Sequence, residues 1–591
     1  MVQGGLSGFN GFRLKANKTT SLPWRRPGIA PESGENLVVS KDLIQMENAI
    51  PYNLLPGATP LFIDYIEGSE KLSSFYSEDF RNPSLWKGIM QNIHKRDYDR
   101  RRIVETLREQ NLRFGSGKKT LKNIESLEDR KTLAVFTGQQ IGLFTGPLYT
   151  LYKALTACKL ATILNLKSPI SNLRFVPLFW MESDDHNPRE VDHISFLDSN
   201  NRILQMKVEM GEGRKPVGDV PLHGKIEGVF ESLESQEMDS EFKQEVFGVL
   251  KSSYFSRENL ADGFGRMMAV LFKEYGLILV NSLEMNRLDI ACPFFEKAIE
   301  KWKEIKRRLS LQSEKLIQNG YHNQIEGNPD TLEVFALHNG RRLPLRIVNG
   351  EVSILSDDLS NHESPITNHE SLSYSPNVSL RPILQDFLFP TVAYVAGPSE
   401  IAYFAQLKPL YEFFGVEMPV IFPRASLTLV EKSTAKVLEK YNLTITDFFG
   451  KHEDIFQKIL KEGRGGVTLP SHRADEIFDN FEKCLSQSFS ELTRELIQVD
   501  PSLKGAIETS QKKILYQLGK LRNGLYEGEK KRNEILVRQI ERTSNHLFPN
   551  GKLQEREFNI VHYLVRYGTN FLARIDEEID PFSFSHKVVR L

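Results

Sequence analysis

The chain has 591 residues, 40% hydrophobic and 26% charged, with 76 Lys and Arg against 77 Asp and Glu, a net charge of -1. That length exceeds what one apolar core serves, so two or more structural units are expected, and the composition excludes wholesale disorder. With no basic excess there is no general electrostatic handle for nucleic acid.

The three cysteines, Cys158, Cys292 and Cys484, are far apart in sequence. They are too few for a disulfide framework and wrongly spaced for a thiolate zinc site. No apolar run approaches the roughly 20 residues that cross a bilayer, and the start lacks the apolar segment of a signal peptide. A reducing cytoplasm is the expected location, with no membrane partner.

Residues 1–45 are polar and aperiodic, broken by Pro23, Pro27 and Pro31. They read as a disordered extension, with Met46 as the expected true start. From Tyr65 to Asn111 the pattern is helical and charged, and the basic cluster His94 to Arg102 reads as a solvated face rather than a phosphate contact.

An α/β core is expected over 46–425. It opens with the strand Leu133 to Gly138, a glycine-rich turn, an apolar helix LYTLYKALTACKLATILN and a second strand, Arg174 to Met181. Strand, helix, strand over this length fits a βαβ unit and a parallel sheet. Further strands are expected at Leu277 to Ser282, in RLPLRIVNG, at Thr391 to Pro398 and at Val420 to Arg424. Doubly wound α/β with helical insertions is the class these strands imply.

A connecting segment is expected over 426–472 and a helical arm over 473–545. Ile477, Phe481, Cys484, Phe489, Leu492 and Leu496 form one stripe. Ile507, Ile514, Leu518, Leu521 and Leu525 follow heptad spacing. Asp500 and Pro501 form an N-cap and N1 pair, so the two helices should fold back as an antiparallel hairpin with arms of roughly 40 Å. Residues 546–591 are expected to return to the core.

Three segments carry candidate chemistry. Residues 137–147, TGQQIGLFTGP, place glycines between a strand and a helix, where backbone N–H groups can meet an anion. They match neither GxGxxG nor the P-loop, so a tight βα connection and a ligand loop both stay open. Residues 180–193, WMESDDHNPREVDH, sit at the carboxyl end of a parallel strand, the edge at which open α/β sheets bind ligands. Glu182, Asp184, Asp185 and His186 crowd together there. Neighbouring carboxylates are expected to raise the imidazole pKa and suit His186 to acid–base work. A solvated acidic loop and a metal site stay open as alternatives.

The third segment, residues 379–404, sets Arg381, Gln385 and Asp386 in an apolar run and ends in Gly397-Pro398-Ser399-Glu400, a second strand-to-helix turn. A structural salt bridge with an ordinary cap is the competing reading. Asn377 and Arg424 lie near enough in sequence to face the same cleft. No Gly-x-Ser-x-Gly elbow or HExxH helix occurs, and Cys158 reads as core packing.

Five of these stretches resemble the cysteine ligase family of bacillithiol biosynthesis, the BshC family: FTGQQIGLFTGPLYTLYKA, PLFWMESDDHNPREVDH, RPILQDFLFPTVAYVAGPSEIAYFAQLK, MPVIFPRASLTLVE and LFPNGKLQER. The resemblance runs from about Asn53 to the C-terminus. It implies a Rossmann-like core related to class I aminoacyl-tRNA synthetases, with inserted connecting segments and an antiparallel coiled-coil arm that forms a homodimer. It also implies the joining of L-cysteine to the amino group of glucosaminyl malate.

Activation of the cysteine carboxylate is then expected from ATP, with Mg as a companion ion and no zinc site. Thr145 to Leu148 stand where synthetase relatives carry His-Ile-Gly-His, yet both histidines are absent, as is a Lys-Met-Ser-Lys-Ser counterpart. On this reading the catalytic set is His186, Asp185 and Asp184, with His186 as the base. The nucleotide- or substrate-binding set is Thr137, Gly138, Gln139, Gln140, Thr145, Gly146, Tyr149, Arg381, Gln385, Gly397, Glu400 and Arg424. Arg381 or Arg424 would pair the malate carboxylates. The alternatives are a non-catalytic nucleotide-binding scaffold of the same pathway and a nucleotidyl transferase acting on another carboxylate.

Overall fold

The computed structural model describes residues 48–591 except 169, 171, 212–213, 223, 237–238, 256–258, 349–350, 355–363, 366–371 and 465–470. The expected extension 1–45, and part of the expected connecting segment, lie outside the described residues.

The first apolar run forms β1 (Thr132–Gln140), followed by α1 (Leu148–Lys167), β2 (Arg174–Glu182) and β3 (Ile278–Asn281). An insertion supplies β4 (Thr331–His338), β5 (Arg341–Val348) and β6 (Ser373–Pro376). The core then resumes with α2 (Arg381–Leu388), β7 (Thr391–Ala396), α3 (Pro398–Phe414) and β8 (Val420–Pro423). Sheet order is β8-β7-β1-β2-β3, and every pair is parallel. The strands are continuous apolar runs because helices and loops cover both faces. Along β2, Val176, Leu178 and Trp180 face one core while Phe179 and Met181 face the other.

This is a Rossmann-like sheet. The chain moves outward from β1 to β3 on one side and from β7 to β8 on the other, so β1 and β7 flank the switch point. Gln140 pairs with Glu182 in the β1–β2 register, which brings both to the carboxyl edge at the same height.

The run RLPLRIV departs from the expected parallel sheet. It is β5, paired antiparallel with β4 in a separate sheet that also holds β6. The reason is local. Asn339 and Gly340 both take positive φ, 50° and 71°, which makes a two-residue hairpin turn whose twist suits antiparallel strands.

Beyond the core, β9 (Ser426–Val430) runs parallel to β10 (His586–Arg590), and Ala49–Ile50 pairs antiparallel on the other side of β10. Between β9 and β10 lie α4 (Ser471–Val499), α5 (Lys504–Arg532) and the short α6 (Gln554–Glu557). Asp500 caps the link between α4 and α5 by accepting from Ser502 N. Arg522 of α5 meets Asp479 at 2.7 Å and Glu482 at 3.7 Å on α4, which sets the two helices antiparallel as a coiled-coil hairpin. Among the described residues no helix is long and apolar enough to cross a membrane.

Candidate active site

A cavity of 480 Å³ opens at the carboxyl edge of the parallel sheet, between the ends of β1 and β7. The end of β1 contributes Gly138, Gln139 and Gln140, and the end of β2 contributes Glu182. Asp185 and His186 come from the next loop, Gly397 to Glu400 from the start of α3, and Arg424 from the end of β8. Helix α1 adds Tyr149 and Lys153, α2 adds Arg381, the inserted sheet adds Phe335 and Arg342, and α6 adds Arg556.

The floor is a network of paired charges. Lys153 is only 2% exposed and donates to the Gly138 carbonyl at 2.5 Å and to Gln139 Oε1 at 3.1 Å. Its Nζ also lies 2.6 Å from Glu400 Oε2. Burial pulls the lysine pKa down, and Glu400 works against that shift. Glu400 further accepts from Tyr394 Oη at 2.8 Å and from Gly397 N at 2.7 Å, the second bond closing the start of α3. Tyr149 accepts from Gln139 Nε2 at 3.1 Å.

The arginines differ in what they have left to give. Arg424 donates to Glu555 at 2.6 Å and to the Ala425 carbonyl, so its charge is spent on a buried partner. Arg381 donates to Tyr403 Oη at 2.7 Å and to Tyr394 Oη at 3.3 Å, while its Nη1 has no hydrogen-bond partner. Arg342 donates to the Pro376 carbonyl at 2.7 Å, to Ser375 Oγ at 2.9 Å and to His186 Nδ1 at 2.9 Å. Arg556 is exposed at the cavity wall and makes no ion pair among the described residues.

His186 does not carry the raised pKa expected of it. Burial lowers it, and Arg342 lowers it further against the pull of Asp185. Arg342 is an obligate donor, so His186 Nδ1 acts as acceptor and the proton sits on Nε2. Asp185 accepts from Gln140 Nε2 at 2.5 Å and from the His186 backbone N at 2.7 Å. Asp184 does not line the cavity. It is 3% exposed and accepts from Ser282 at 2.5 Å, Ser375 at 2.6 Å and Asn286 at 3.0 Å, and through Ser375 it braces Arg342.

Thr137, Thr145, Gly146 and Gln385 also stand outside the cavity lining. Thr137 is buried and donates to the Val395 carbonyl within the sheet. Gln385 is buried and donates to Asp386 at 2.9 Å, inside the core. The turn 141–146 is covered rather than open. Asn559 Nδ2 donates to the carbonyls of Leu143, Phe144 and Gly146 at 3.3, 2.9 and 2.7 Å. Phe144 stacks edge-on against Phe230 and Tyr254. Leu148 N, at the first turn of α1, donates to the Phe558 carbonyl at 2.9 Å. The glycines serve this fold: a Cβ on Gly142 would stand 2.7 Å from Gly146 Cα. The expected phosphate cradle is therefore filled by the chain itself. Among the described residues no group of three or more His, Cys, Asp or Glu is placed to hold a metal ion.

Comparison with known proteins adds to this geometry. Residues 46–425 match the family model for the N-terminal Rossmann-like domain of BshC in bacillithiol biosynthesis, and residues 427–591 match its C-terminal coiled-coil domain. The chain belongs to the BshC family.

Among its relatives, proteins named "Putative cysteine ligase BshC" from Salinibacter ruber and Koribacter versatilis are each 32% identical. The alignments cover 90% and 92% of this chain and 96% and 99% of those proteins. A relative of the same name from Bacillus cytotoxicus is 30% identical over 89% of this chain and 97% of its own length.

Among the cavity residues of this BshC chain that escaped the sequence reading are three cations. Lys153 had a visible signal, since a lysine set among apolar residues near the start of α1 needs a buried partner. Arg342 had none, because nothing distinguishes it from the other arginines of its insertion. Arg556 lies within LFPNGKLQER, but only the fold brings that segment beside β8.

Proposed function

We propose that this cavity joins the carboxyl group of L-cysteine to the amino group of glucosaminyl malate, the last step of bacillithiol biosynthesis, in the cytoplasm. One observation carries the reading. At the sheet's switch point, two guanidinium groups with unspent hydrogen bonds, Arg381 and Arg556, share a cavity with Glu182, a carboxylate 3.9 Å from Arg381 that accepts no hydrogen bond among the described residues. A substrate bearing a dicarboxylate and an ammonium group matches that pattern, because a guanidinium binds a carboxylate through two N–H bonds. The relatives' printed name, "Putative cysteine ligase BshC", supports cysteine as one of the two substrates.

Residues of this chain then divide the work. Arg381 and Arg556 hold the malate carboxylates, while Arg424, neutralised by Glu555, shapes the wall instead. Asp185 and Arg342 fix His186, whose Nε2–H is a donor to a substrate oxygen. ATP is the activating co-substrate in this reading, with Mg as its companion. The turn 141–146 does not fit its phosphates, because Asn559 and Phe558 occupy that place.

The coiled-coil hairpin supports a homodimer. Ile477, Phe481 and Leu521 remain 60%, 52% and 67% exposed on α4 and α5, an apolar stripe that a second copy would cover. A second reading, a non-catalytic scaffold of the same pathway, draws on the filled turn.

The test is a thiol profile of cells lacking this gene, by fluorescent labelling and mass spectrometry. Loss of bacillithiol with accumulation of glucosaminyl malate is expected. Restoration by an Arg381→Met variant as fully as by wild type would favour the scaffold. Unchanged bacillithiol in the deletion strain removes the reading.

A further inference from the structure

The three carboxylates that line the cavity are not equivalent. Glu400 is held by Lys153, Tyr394 and the Gly397 amide. Asp185 is held by Gln140 and the His186 amide, with Arg342 at 3.4 Å. Glu182 accepts no hydrogen bond from any described residue. Its nearest cation is Arg381, whose Nε stands 3.9 Å away, beyond hydrogen-bond reach. The Glu182 side chain is 30% exposed, and it projects from the end of β2 into the cavity.

An amine attacks an acyl carbon only as the neutral base, so a site that acylates an ammonium needs an acceptor with a free lone pair. His186 cannot supply one without giving up Arg342, since its Nδ1 is already bonded and its Nε2 carries the proton. We propose that Glu182, rather than His186, takes the proton from the ammonium of the amine substrate. This rests on the reading that an amine is acylated in this cavity.

In that step one N–H bond breaks and one O–H bond forms. The ammonium becomes a neutral amine, the carboxylate a neutral carboxyl, and the proton later leaves through the cavity mouth to solvent. Opposite charges cancel as the proton moves, which favours the transfer in a half-buried site. The groups facing Glu182 are Arg381 from α2, Arg342 from β5, Asp184 and Asp185 from the loop after β2, and Tyr403 from α3. Burial, with Asp184 and Asp185 adding to it against Arg381 and Arg342, pushes the Glu182 pKa up to about 7. A base titrating there matches the pH at which it would work.

The experiment complements the deletion strain with wild type, Glu182→Gln, Glu182→Asp and His186→Asn. Bacillithiol formation is measured in extracts from pH 6 to 8.5, and glucosaminyl malate binding on the purified proteins. Glu182→Gln is expected to lose on the order of 100-fold or more in rate while its affinity changes less than about threefold. Glu182→Asp keeps part of the rate, and His186→Asn, which loses a substrate contact, still shows the acid limb of the wild type. The wild-type rate falls on an acid limb near the pKa of about 7, and the residual Glu182→Gln rate lacks that limb. A Glu182→Gln protein as fast as wild type overturns the assignment. So does one whose affinity falls as far as its rate, which would make Glu182 a binding group. If wild-type extracts form no bacillithiol, the reading of the reaction falls and takes this assignment with it, an outcome distinct from an active Glu182→Gln protein.

Discussion

Two strand-to-helix turns leave the same edge of the parallel sheet, and they have opposite fates. The turn after β1 is rich in glycine and precedes α1; the turn after β7 holds Gly397 and precedes α3. Around the first, the chain supplies its own ligands: Asn559 takes three carbonyls and Phe558 takes the Leu148 amide. Around the second, Gly397, Pro398 and Ser399 stay on the cavity wall, and only the Glu400 carboxylate closes the cap. Glycine content signals a backbone that can approach something closely, but what it approaches is decided by segments hundreds of residues away. The cavity opens at the turn with fewer glycines because the C-terminal segment was laid over the other.

The open turn depends on a buried ion pair, so breaking that pair is the severest test. Lys153→Met strips Glu400 of its direct ion-pair partner and leaves that carboxylate without it in a largely buried setting. A destabilisation of about 4 kcal/mol is expected in chemical denaturation, with much less for the double variant Lys153→Met/Glu400→Gln. A cost below about 1 kcal/mol would mean that the pair does not hold this turn.

The sealed turn should be nearly as sensitive. Asn559→Leu keeps the volume but withdraws the donor from the carbonyls of Leu143, Phe144 and Gly146, all in a region closed to water. About 3 kcal/mol should be lost, because buried acceptors without partners keep their full desolvation cost. An unchanged melting curve would show that Phe558 and the aromatic contacts seal the turn without Asn559.

The same contrast explains what the sequence could and could not disclose. The strands of the parallel sheet were legible as continuous apolar runs, because each run is buried on both faces and stops where the chain turns. The hairpin helices were legible from heptad spacing and from the Asp500-Pro501 start. The run that became β5 was visible as a strand but not as a member of the wrong sheet, since residue pattern says little about pairing partners. The Asn339-Gly340 turn was the available clue. At the site, residues after the strand ends Gly138, Glu182 and Ala396 were found because topology fixes that edge. Thr145 and Gly146 were misplaced because Asn559 lies 413 residues beyond Gly146, outside any local pattern. Likewise burial, aided by Arg342 from 156 residues away, lowers the His186 pKa that the neighbouring carboxylates were expected to raise.

The last difference between the two turns is electrostatic. The sealed turn is held by backbone carbonyls and Asn559, none of which titrates, whereas the open side keeps Glu182 with its pKa near 7 against an ordinary value of 4.5. The sign follows from linkage. A carboxyl whose pKa is raised by folding contributes its full stability below about pH 4.5, and that contribution is lost as pH rises through 7. Above pH 7 the native protein carries an ionised, half-buried carboxylate, and Glu182→Gln does not. The variant should therefore be more stable than wild type at pH 8, by about 1–2 kcal/mol after solvent screening, and the gap should narrow as the pH is lowered toward 5. Thermal melts of both proteins across that range measure it. A gap that stays constant with pH would place the glutamate in an environment no different from water and would remove the electrostatic distinction between the two sides of the sheet edge.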